Sequence, residues 1–214
     1  LTIITFSQLL FAQDDKEKKE EGLPLKATRA IDIKTNEGTW ISLDVHPSGE
    51  KIIFDLLGDI YELPIKGGKA NRITEGLAFD SQPKYSPDGN SILFLSDKSG
   101  GNNVWILDRK EKDTVQLTEG NTFKMQSADW SSDGDYIVVS KGTRNFKLHL
   151  YHKDGGGGSQ LIEEPERLKI SEPTFSADGR LIWFSQRMGA WQYNARFPQY
   201  QLATYDREDG EKEV

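Results

Sequence analysis

The chain has 214 residues, a formal net charge of −7 and no cysteine. The acidic balance argues against a general nucleic-acid binder, which would carry a basic face. The lack of cysteine excludes a disulfide framework and thiol chemistry, and it fits an exported bacterial protein. The length is enough for one or two domains.

The first twelve residues are apolar and uncharged, and a highly charged run begins soon after them. This pattern predicts the remnant of a secretory signal peptide at 1–12, cut near Ala12. The segment is too short to span a bilayer, and a buried N-terminal strand is the alternative interpretation. Residues 13–27 are rich in charge, which predicts a disordered linker. We therefore expect a periplasmic or secreted protein without a transmembrane segment in the mature chain.

Residues 28–34 alternate between polar and apolar side chains in the manner of one strand. A four-residue turn then recurs four times, and each copy ends in glycine. The closing residues are Gly49, Gly89, Gly134 and Gly179, which lie 40, 45 and 45 residues apart. A regular period of this length predicts a repeat architecture. The repeats span about 36–76, 77–120, 121–164 and 165–214.

The turn residues have a shared physical logic. Proline, present in the first two copies, presets φ for the second position of a type I turn, and Asp or Ser suits the third. Glycine takes the left-handed conformation that returns the chain antiparallel, where a residue with a Cβ would cost roughly 1–2 kcal/mol. Each copy therefore predicts a hairpin. We interpret Asp88, Asp133 and Asp178 as turn residues and not as catalytic carboxylates.

Each repeat contains four short segments with strand character. Four-stranded units that recur every 40–45 residues are typical of a β-propeller, so the predicted fold class is all-β with antiparallel blades. Propellers have about 4–8 blades, and we expect the four blades here to form an incomplete ring. A closed four-bladed ring, completed by 28–34, is the alternative. A single sandwich would not explain the period.

Two stretches depart from the regular plan. The glycine-rich stretch 155–159 resembles an interdomain linker, but it falls where Gly67 and Gly68 fall in the first repeat. We therefore predict a loose hairpin loop between the third and fourth strands of the third blade. The fourth repeat carries an insertion at 186–200 that is rich in aromatic residues and arginine. Its outer strand is expected to start only at 210–214, which indicates a fragment.

The chain holds three histidines. His149 and His152 lie three positions apart on a predicted strand and therefore point to opposite faces, which disfavours a metal site. His46 stands where serine opens the other turns. We interpret all three as surface residues. The sequence has no nucleophile elbow, metalloprotease helix or phosphate loop, so we assign no catalytic or metal-ligating residue in this chain.

Ligand binding in a propeller is expected at the mouth of the central channel, near the inner strands that precede the turns. Five polar or aromatic residues precede the turn motifs and are the candidates for channel-mouth binding: Trp40, Asp80, Gln82, Gln126 and Glu172. The alternative for Asp80 and Gln82 is that they only satisfy backbone groups between blades.

The stretch 82–89, Gln-Pro-Lys-Tyr-Ser-Pro-Asp-Gly, with the apolar strand that follows it, resembles the TolB-like propeller repeat, also called the WD40-like Pro-Asp repeat. The segments Asn-Val-Trp-Ile-Leu-Asp at 103–108 and Gln-Leu-Thr at 116–118 are similar to the same repeat. The resemblance covers about residues 36–214 and implies the fold. Such propellers occur in translocation proteins, in prolyl-oligopeptidase-like peptidases and in other exported hydrolases.

The stretches at 37–45 and 54–61 resemble the opening of exported amidohydrolases that carry a TolB-like propeller before a metal-dependent domain. This resemblance implies a propeller that gates or positions substrate or docks a partner. A divalent metal and the cleavage of a C–N bond would belong to a downstream domain, with no cofactor in this chain. The implied partners are that domain or envelope proteins. Two alternatives are a non-enzymatic TolB-like periplasmic scaffold and the propeller of a prolyl-oligopeptidase-like serine peptidase.

Overall fold

The computed structural model describes residue 29, residues 31–187 and residues 199–214. The predicted signal-peptide remnant at 1–12 and linker at 13–27 lie outside these residues, as does most of the insertion at 186–200. The described regular elements are sixteen strands in four four-stranded sheets. All strand pairs are antiparallel. This arrangement confirms the predicted all-β fold of propeller blades.

In every sheet the strands follow one another in chain order, so each blade is a meander. Blade 1 contains β1 (Leu43–Val45), β2 (Lys51–Leu56), β3 (Asp59–Pro64) and β4 (Asn71–Arg72). Blade 2 contains β5 (Asp80–Tyr85), β6 (Ser91–Ser96), β7 (Asn103–Asp108) and β8 (Thr114–Gln116). Blade 3 contains β9 (Lys124–Trp130), β10 (Tyr136–Gly142), β11 (Phe146–His152) and β12 (Gly155–Gln160). Blade 4 contains β13 (Lys169–Phe175), β14 (Leu181–Arg187), β15 (Tyr200–Asp206) and β16 (Lys212–Glu213).

The four predicted turns all form, each between the first and second strands of its blade. The closing glycine has a φ between 72° and 76° in every copy. Its N–H donates to the carbonyl oxygen of the first turn residue at 2.7–2.9 Å. These φ values lie in the left-handed region, where a Cβ is strained. The backbone conformation of the turn is therefore by itself a sufficient reason for glycine.

Serine and aspartate side chains hold three of these turns in shape. The Ser86 hydroxyl donates to Asp88 Oδ1 at 2.5 Å and accepts the N–H of Ser91 at 2.9 Å. Asp88 Oδ1 also accepts the N–H of Asn90. The same contacts recur in the two later turns, through the pairs Ser131 with Asp133 and Ser176 with Asp178. The interpretation of these aspartates as turn residues is confirmed.

The hydrophobic core lies between consecutive blades. Ile53 of β2 packs with Ile92 and Phe94 of β6, between blades 1 and 2. Leu93 and Leu95 of β6 pack instead against blade 3, so this strand is buried on both faces, as its continuous apolar run predicts. A third cluster lies between blades 3 and 4. In the described part of the chain the blades form an open arc that does not close into a ring.

The strand predicted at 28–34, before the first repeat, does not form in the described residues. Residues 31–34, from the stretch predicted as a strand at 28–34, have no regular structure, and they therefore complete no blade. The sequence also predicts the first strand of blade 1 at about 40–45, and the observed strand is shorter because it begins at Leu43. Trp40 has a φ of 60°, which lies in the left-handed region and outside the extended region of a regular strand.

The predicted hairpin loop at 155–159 is wrong, because these residues belong to the edge strand β12. The turn lies one step earlier, at Lys153 and Asp154, and β12 then pairs with β11. The Tyr151 ring lies directly over Gly158, where a Cβ would overlap the ring carbon Cε1. Glycine is thus used here to let an aromatic ring rest on the backbone of a strand.

We expect Gly158→Ala to lower the free energy of unfolding by about 2–5 kcal/mol. The added Cβ would crowd the Tyr151 ring, at roughly 1–3 kcal/mol, and the φ of +69° adds roughly 1–2 kcal/mol. Gly157→Ala is the matched control, since a Cβ there meets no atom within 4 Å; its expected change is within about 0.5 kcal/mol. Urea unfolding of both variants tests this, and equal losses would contradict it.

Candidate functional site in the central channel

The first strands of the four blades, β1, β5, β9 and β13, converge on a cavity of about 270 Å³. Neighbouring first strands contact each other, which makes them the inner strands of the propeller. The lining comes from the positions that lie seven, six and five residues before the turn glycine in blades 2 to 4, and from the positions seven and six residues before it in blade 1. We call this cavity the channel site.

Two of the four residues that lie seven positions before the turn glycine have an unusual backbone. Gln82 and Glu172 have φ values of 52° and 53°, and both lie at register shifts of their strands. Their N–H groups consequently leave the ladder and donate to the preceding blade. Gln82 donates to Asp55 Oδ2 at 2.8 Å, and Glu172 donates to Ser127 Oγ at 3.0 Å. Strained backbone of this kind concentrates at functional sites.

Asp55 joins two inner strands. Its Oδ1 accepts the N–H of Ser42 at 2.9 Å in its own blade, while its Oδ2 accepts the N–H of Gln82 in the next. The side chain belongs to β2 and is only 8% exposed. Both donors are backbone groups that have no ladder partner at these positions, so one carboxylate satisfies them together.

The layer five residues before the glycine is the most polar. Lys84, Asp129 and Thr174 of this layer line the channel site, and Asp44 is the equivalent residue of blade 1 outside the lining. Asp129 Oδ2 accepts the Thr174 hydroxyl at 2.5 Å, and Asp44 Oδ2 accepts the N–H of Tyr85 at 2.8 Å. Burial raises the pKa of Asp129, although the Thr174 hydrogen bond and the Lys84 charge lower it in part. The channel site therefore holds both signs of charge in a partly desolvated setting.

The structure places three of the five predicted channel-mouth residues together. Gln82 and Glu172 line the channel site. Gln126 lines an adjoining cavity, and its backbone carbonyl accepts the Gln82 side-chain amide at 2.9 Å. The other two lie elsewhere. Asp80 is buried in a groove of about 640 Å³ between blades 1 and 2, and the Trp40 side chain is fully exposed.

Sequence reasoning missed Lys84, Ser127, Asp129 and Thr174 as channel residues. A usable signal was present, because Lys84, Asp129 and Thr174 all lie five residues before a turn glycine and Ser127 lies seven residues before one. The five predicted residues share only a polar or aromatic side chain. They lie at three different distances in sequence before the turn glycine, and only at some of these positions does the side chain line the channel.

Of the three histidines, His152 is exposed, whereas His46 and His149 are partly buried at the surface. The His46 ring packs edge-on against Tyr85, with ring centroids 4.9 Å apart, and is partly buried. His149 is also partly buried, and this burial lowers its pKa. Among the described residues no three His, Cys, Asp or Glu side chains are grouped to hold a metal. Those residues also include no helix long and apolar enough to cross a membrane.

Four-stranded meander blades arranged around a polar channel define this protein as a β-propeller. The chain belongs to the TolB β-propeller domain family, whose model matches residues 23–196.

Individual relatives share parts of the chain. Tricorn protease homolog 1 of Streptomyces coelicolor is 27% identical over 95 residues, which are 44% of this chain and 9% of that one. The Tol-Pal system protein TolB of Wolinella succinogenes is 25% identical over 170 residues, which are 74% of this chain and 39% of that one. An uncharacterized Agrobacterium fabrum protein, Atu1656, is 28% identical over 151 residues, which are 62% of this chain and 50% of that one. The chain thus spans half or less of the length of these relatives.

Solved structures show the same fold. A protein assigned as a TolB from Agrobacterium tumefaciens superposes with a TM-score of 0.69 at 20% identity, covering 80% of this chain and 63% of that one. TolB from Acinetobacter baumannii gives 0.64 at 21% identity, covering 80% and 42%. The tricorn protease gives 0.59 at 16% identity, covering 85% and 18%.

We expect Asp55→Ala to lower the free energy of unfolding by about 3–6 kcal/mol. It leaves two backbone N–H groups without their charged acceptor, and hydrogen bonds to charged groups contribute about 1.5–3 kcal/mol each. Asp154→Ala is the control, because that side chain is 76% exposed and its ion pair is on the surface; the expected change is below about 1 kcal/mol. Denaturant titration of both variants measures the difference, and a similar small loss for both would contradict the bridging role.

We expect opposite pH effects from two aspartates. Hydrogen bonds from Ser86 and Asn90 lower the pKa of Asp88 to about 2. Its contribution to stability is therefore present above its ordinary pKa of 3.8 and is lost as pH falls toward 2. Burial raises the pKa of Asp129, so its ionised form disfavours the folded state and this penalty grows as pH rises. Asp88→Asn should then destabilise the protein at pH 7, whereas Asp129→Asn should not.

Unfolding midpoints at pH 7 and pH 3 test this pair. The loss of stability caused by Asp88→Asn should be smaller at pH 3 than at pH 7. Any gain in stability caused by Asp129→Asn at pH 7 should disappear at pH 3. The amide oxygen introduced by Asp129→Asn keeps an acceptor for the Thr174 hydroxyl, which isolates the charge. A deficit of the same sign and pH dependence in both variants would contradict the assignment.

Proposed function

We propose that this chain is the propeller part of a larger exported hydrolase of the amidohydrolase type, in which the channel gates or positions substrate or docks a partner. The observation that carries the proposal is the polar channel site, open to solvent, where four inner strands meet. Lys84 and Glu172 present charged side chains there that form no ion pair with another described residue. Such groups are available to a ligand or partner.

The relatives support a propeller that serves a longer hydrolase. Tricorn protease homolog 1 and the Bacillus subtilis uncharacterized peptidase YuxL share this propeller segment, which covers only 9% and 21% of their lengths. The resemblance at 37–45 and 54–61 favours the amidohydrolase type over other hydrolases. The apolar segment at 1–12 favours export to the periplasm or the medium.

The chemistry itself is assigned to another part of the polypeptide. The described residues do not fit a metal site, since they contain no suitable cluster of ligands. In the proposal, a downstream domain supplies the divalent metal ligands and breaks the C–N bond. The propeller contributes binding and access, because ligands bind in clefts and at the mouths of channels in folds of this kind.

A second candidate is a non-enzymatic scaffold that docks envelope proteins in the periplasm. The match to the Wolinella Tol-Pal system protein TolB favours it, because that match covers 74% of this chain, more than the 44% covered by the tricorn protease homolog. The two candidates differ in what accompanies the propeller. Sequencing the native open reading frame separates them, since the hydrolase predicts a His-x-His motif downstream and the scaffold predicts termination soon after ring closure. A downstream Gly-x-Ser-x-Gly would point instead to a serine peptidase.

We expect Lys84→Gln and Glu172→Gln in the native full-length protein to raise KM for amide substrates about 3–10-fold with kcat unchanged. Both side chains lie in the channel and not at the bond-breaking centre, so they affect binding and access. Lys66→Gln is the control, because Lys66 is exposed on blade 1 and away from the channel. Steady-state kinetics of the three variants decide the question. An unchanged KM in both channel variants would count against the channel role.

A further inference from the structure

A large groove lies between blades 1 and 2. Its volume is about 640 Å³, and it shares no lining residue with the channel site. The lining runs along β6, from Asn90 before this strand to Lys98 after it. Because β6 has six residues and is roughly 20 Å long, the groove can hold an extended segment of chain. Four side chains from both blades give it an apolar floor: Ile73, Ile92, Phe94 and Leu107.

Asp80 lines this groove without a side-chain partner in the described part of the chain. It is the first residue of β5 and is only 5% exposed. Its N–H donates to the Gly58 carbonyl oxygen at 2.8 Å. Its carboxylate, by contrast, forms no ion pair and no hydrogen bond with another described residue. A buried charge that lacks a partner costs folding free energy, so this carboxylate points to a ligand.

Two further carboxylates lie close to Asp80 at this end of the groove. Burial raises the pKa of Asp59, the Arg72 charge lowers it in part, and the charges of Asp80 and Glu75 raise it again. Asp59 has its own partner, because Arg72 Nε lies 3.3 Å from its Oδ2. Glu75 lines the groove and forms no ion pair with a described residue. Asp80 and Glu75 are therefore two carboxylates without a bound cation in the described structure.

Lys98 is the second cation at this end of the groove, and it leaves both carboxylates unpaired. Its Nζ lies 5.5 Å from the centroid of the Trp105 ring and forms no ion pair with a described carboxylate. Three carboxylates and two cations give this end an excess of negative charge. The opposite end, near the turn, carries Arg109, Lys110 and Lys112. A ligand with a single cation therefore fits the groove better than a uniformly basic one.

The rim beside the carboxylates is apolar. Leu77 and Phe79, on either side of the lining residue Ala78, are 47% and 62% exposed. Exposed apolar side chains around a groove mark an interaction site. A metal ion would not use them, and among the described residues no three His, Cys, Asp or Glu side chains are grouped to hold one. The surroundings of Asp80 thus match an organic cation that has apolar neighbours.

We propose that this groove binds an extended peptide segment of a partner protein, which inserts one lysine or arginine side chain flanked by apolar residues. The cationic side chain donates charge-assisted hydrogen bonds to Asp80 and Glu75. The flanking residues cover Leu77, Phe79 and the apolar floor, and such pockets for individual side chains give a peptide groove its specificity. The groove is separate from the channel, so the inference does not depend on the proposed function.

Calorimetric titration of the native full-length protein at low salt tests the proposal with three probes. The first is the acetylated and amidated peptide Ala-Leu-Lys-Leu-Ala. The second is the same peptide with norleucine in place of lysine, and the third is butylammonium, which is the lysine side chain alone. We expect the lysine peptide to bind about tenfold more tightly than either of the others, or better, because hydrogen bonds to charged groups contribute at least that factor.

Asp80→Asn should lower the affinity for the lysine peptide about tenfold. Its thermal midpoint should stay at or above that of the wild type, because no described residue uses the carboxylate, whereas a purely structural Asp80 would lose stability on replacement. Glu75→Gln, at an exposed position, should weaken binding by a smaller factor, and it keeps the test decisive if Asp80→Asn folds poorly. Asp154→Asn is the matched control, since that carboxylate is exposed on blade 3, and neither property should change.

Equal affinity for the lysine and norleucine peptides would overturn the proposal. Butylammonium that binds as tightly as the lysine peptide would also contradict it, because the site would then recognise small cations and not a peptide. The proposal fails as well if the lysine peptide does not bind, or if both Asp80→Asn and Glu75→Gln leave its affinity unchanged. None of these outcomes bears on the channel, whose role is tested by the KM changes in Lys84→Gln and Glu172→Gln.

Discussion

The left-handed glycine at the end of each first hairpin constrains the molecule twice. It sets the hairpin, and in two of the blades it also lies against the turn of the preceding blade. A Cβ on Gly89 would overlap His46 Nε2, and one on Gly179 would be 2.7 Å from Ser132 Oγ. Arginine side chains bind the same turns. Arg109 donates to the Gly89 carbonyl at 2.7 Å, and Arg207 donates to the Gly179 carbonyl in the last turn. The turns thus fix the spacing between blades as well as the fold within each blade.

The inner strands depend on contacts that cross from one blade to the next. Asp55 and Ser127 accept backbone N–H groups of the following blade, and Asp44 does the same one layer further along. Part of the polar lining is therefore structural, because it satisfies backbone groups where the strand register shifts. The groups left for a ligand are the charged side chains outside these bonds, Lys84 and Glu172. This division separates residues that hold the channel from residues that can recognise something in it.

The sequence predicts the blades well because the turn imposes both a period and a strict backbone requirement. It predicts the site less well, because polar identity before a turn does not say which way a side chain points. Trp40 illustrates this: it precedes a turn like the channel residues, yet it lies fully in solvent. The strand β12 was missed for another reason. Four consecutive glycines carry no strand propensity, and pairing with β11 together with the ring of Tyr151 decides their conformation.

The left-handed φ of Gln82 and Glu172 sets the stability of the protein against the polarity of its channel. Glycine would adopt that conformation without strain, so the natural side chains are kept at some expense of folding free energy. Selection for thermal stability would favour glycine at both positions. The resulting protein would be more stable, but its channel site would lack two polar side chains. Robustness and recognition are therefore in competition at these two residues, and a thermostable propeller of this type need not be a functional one.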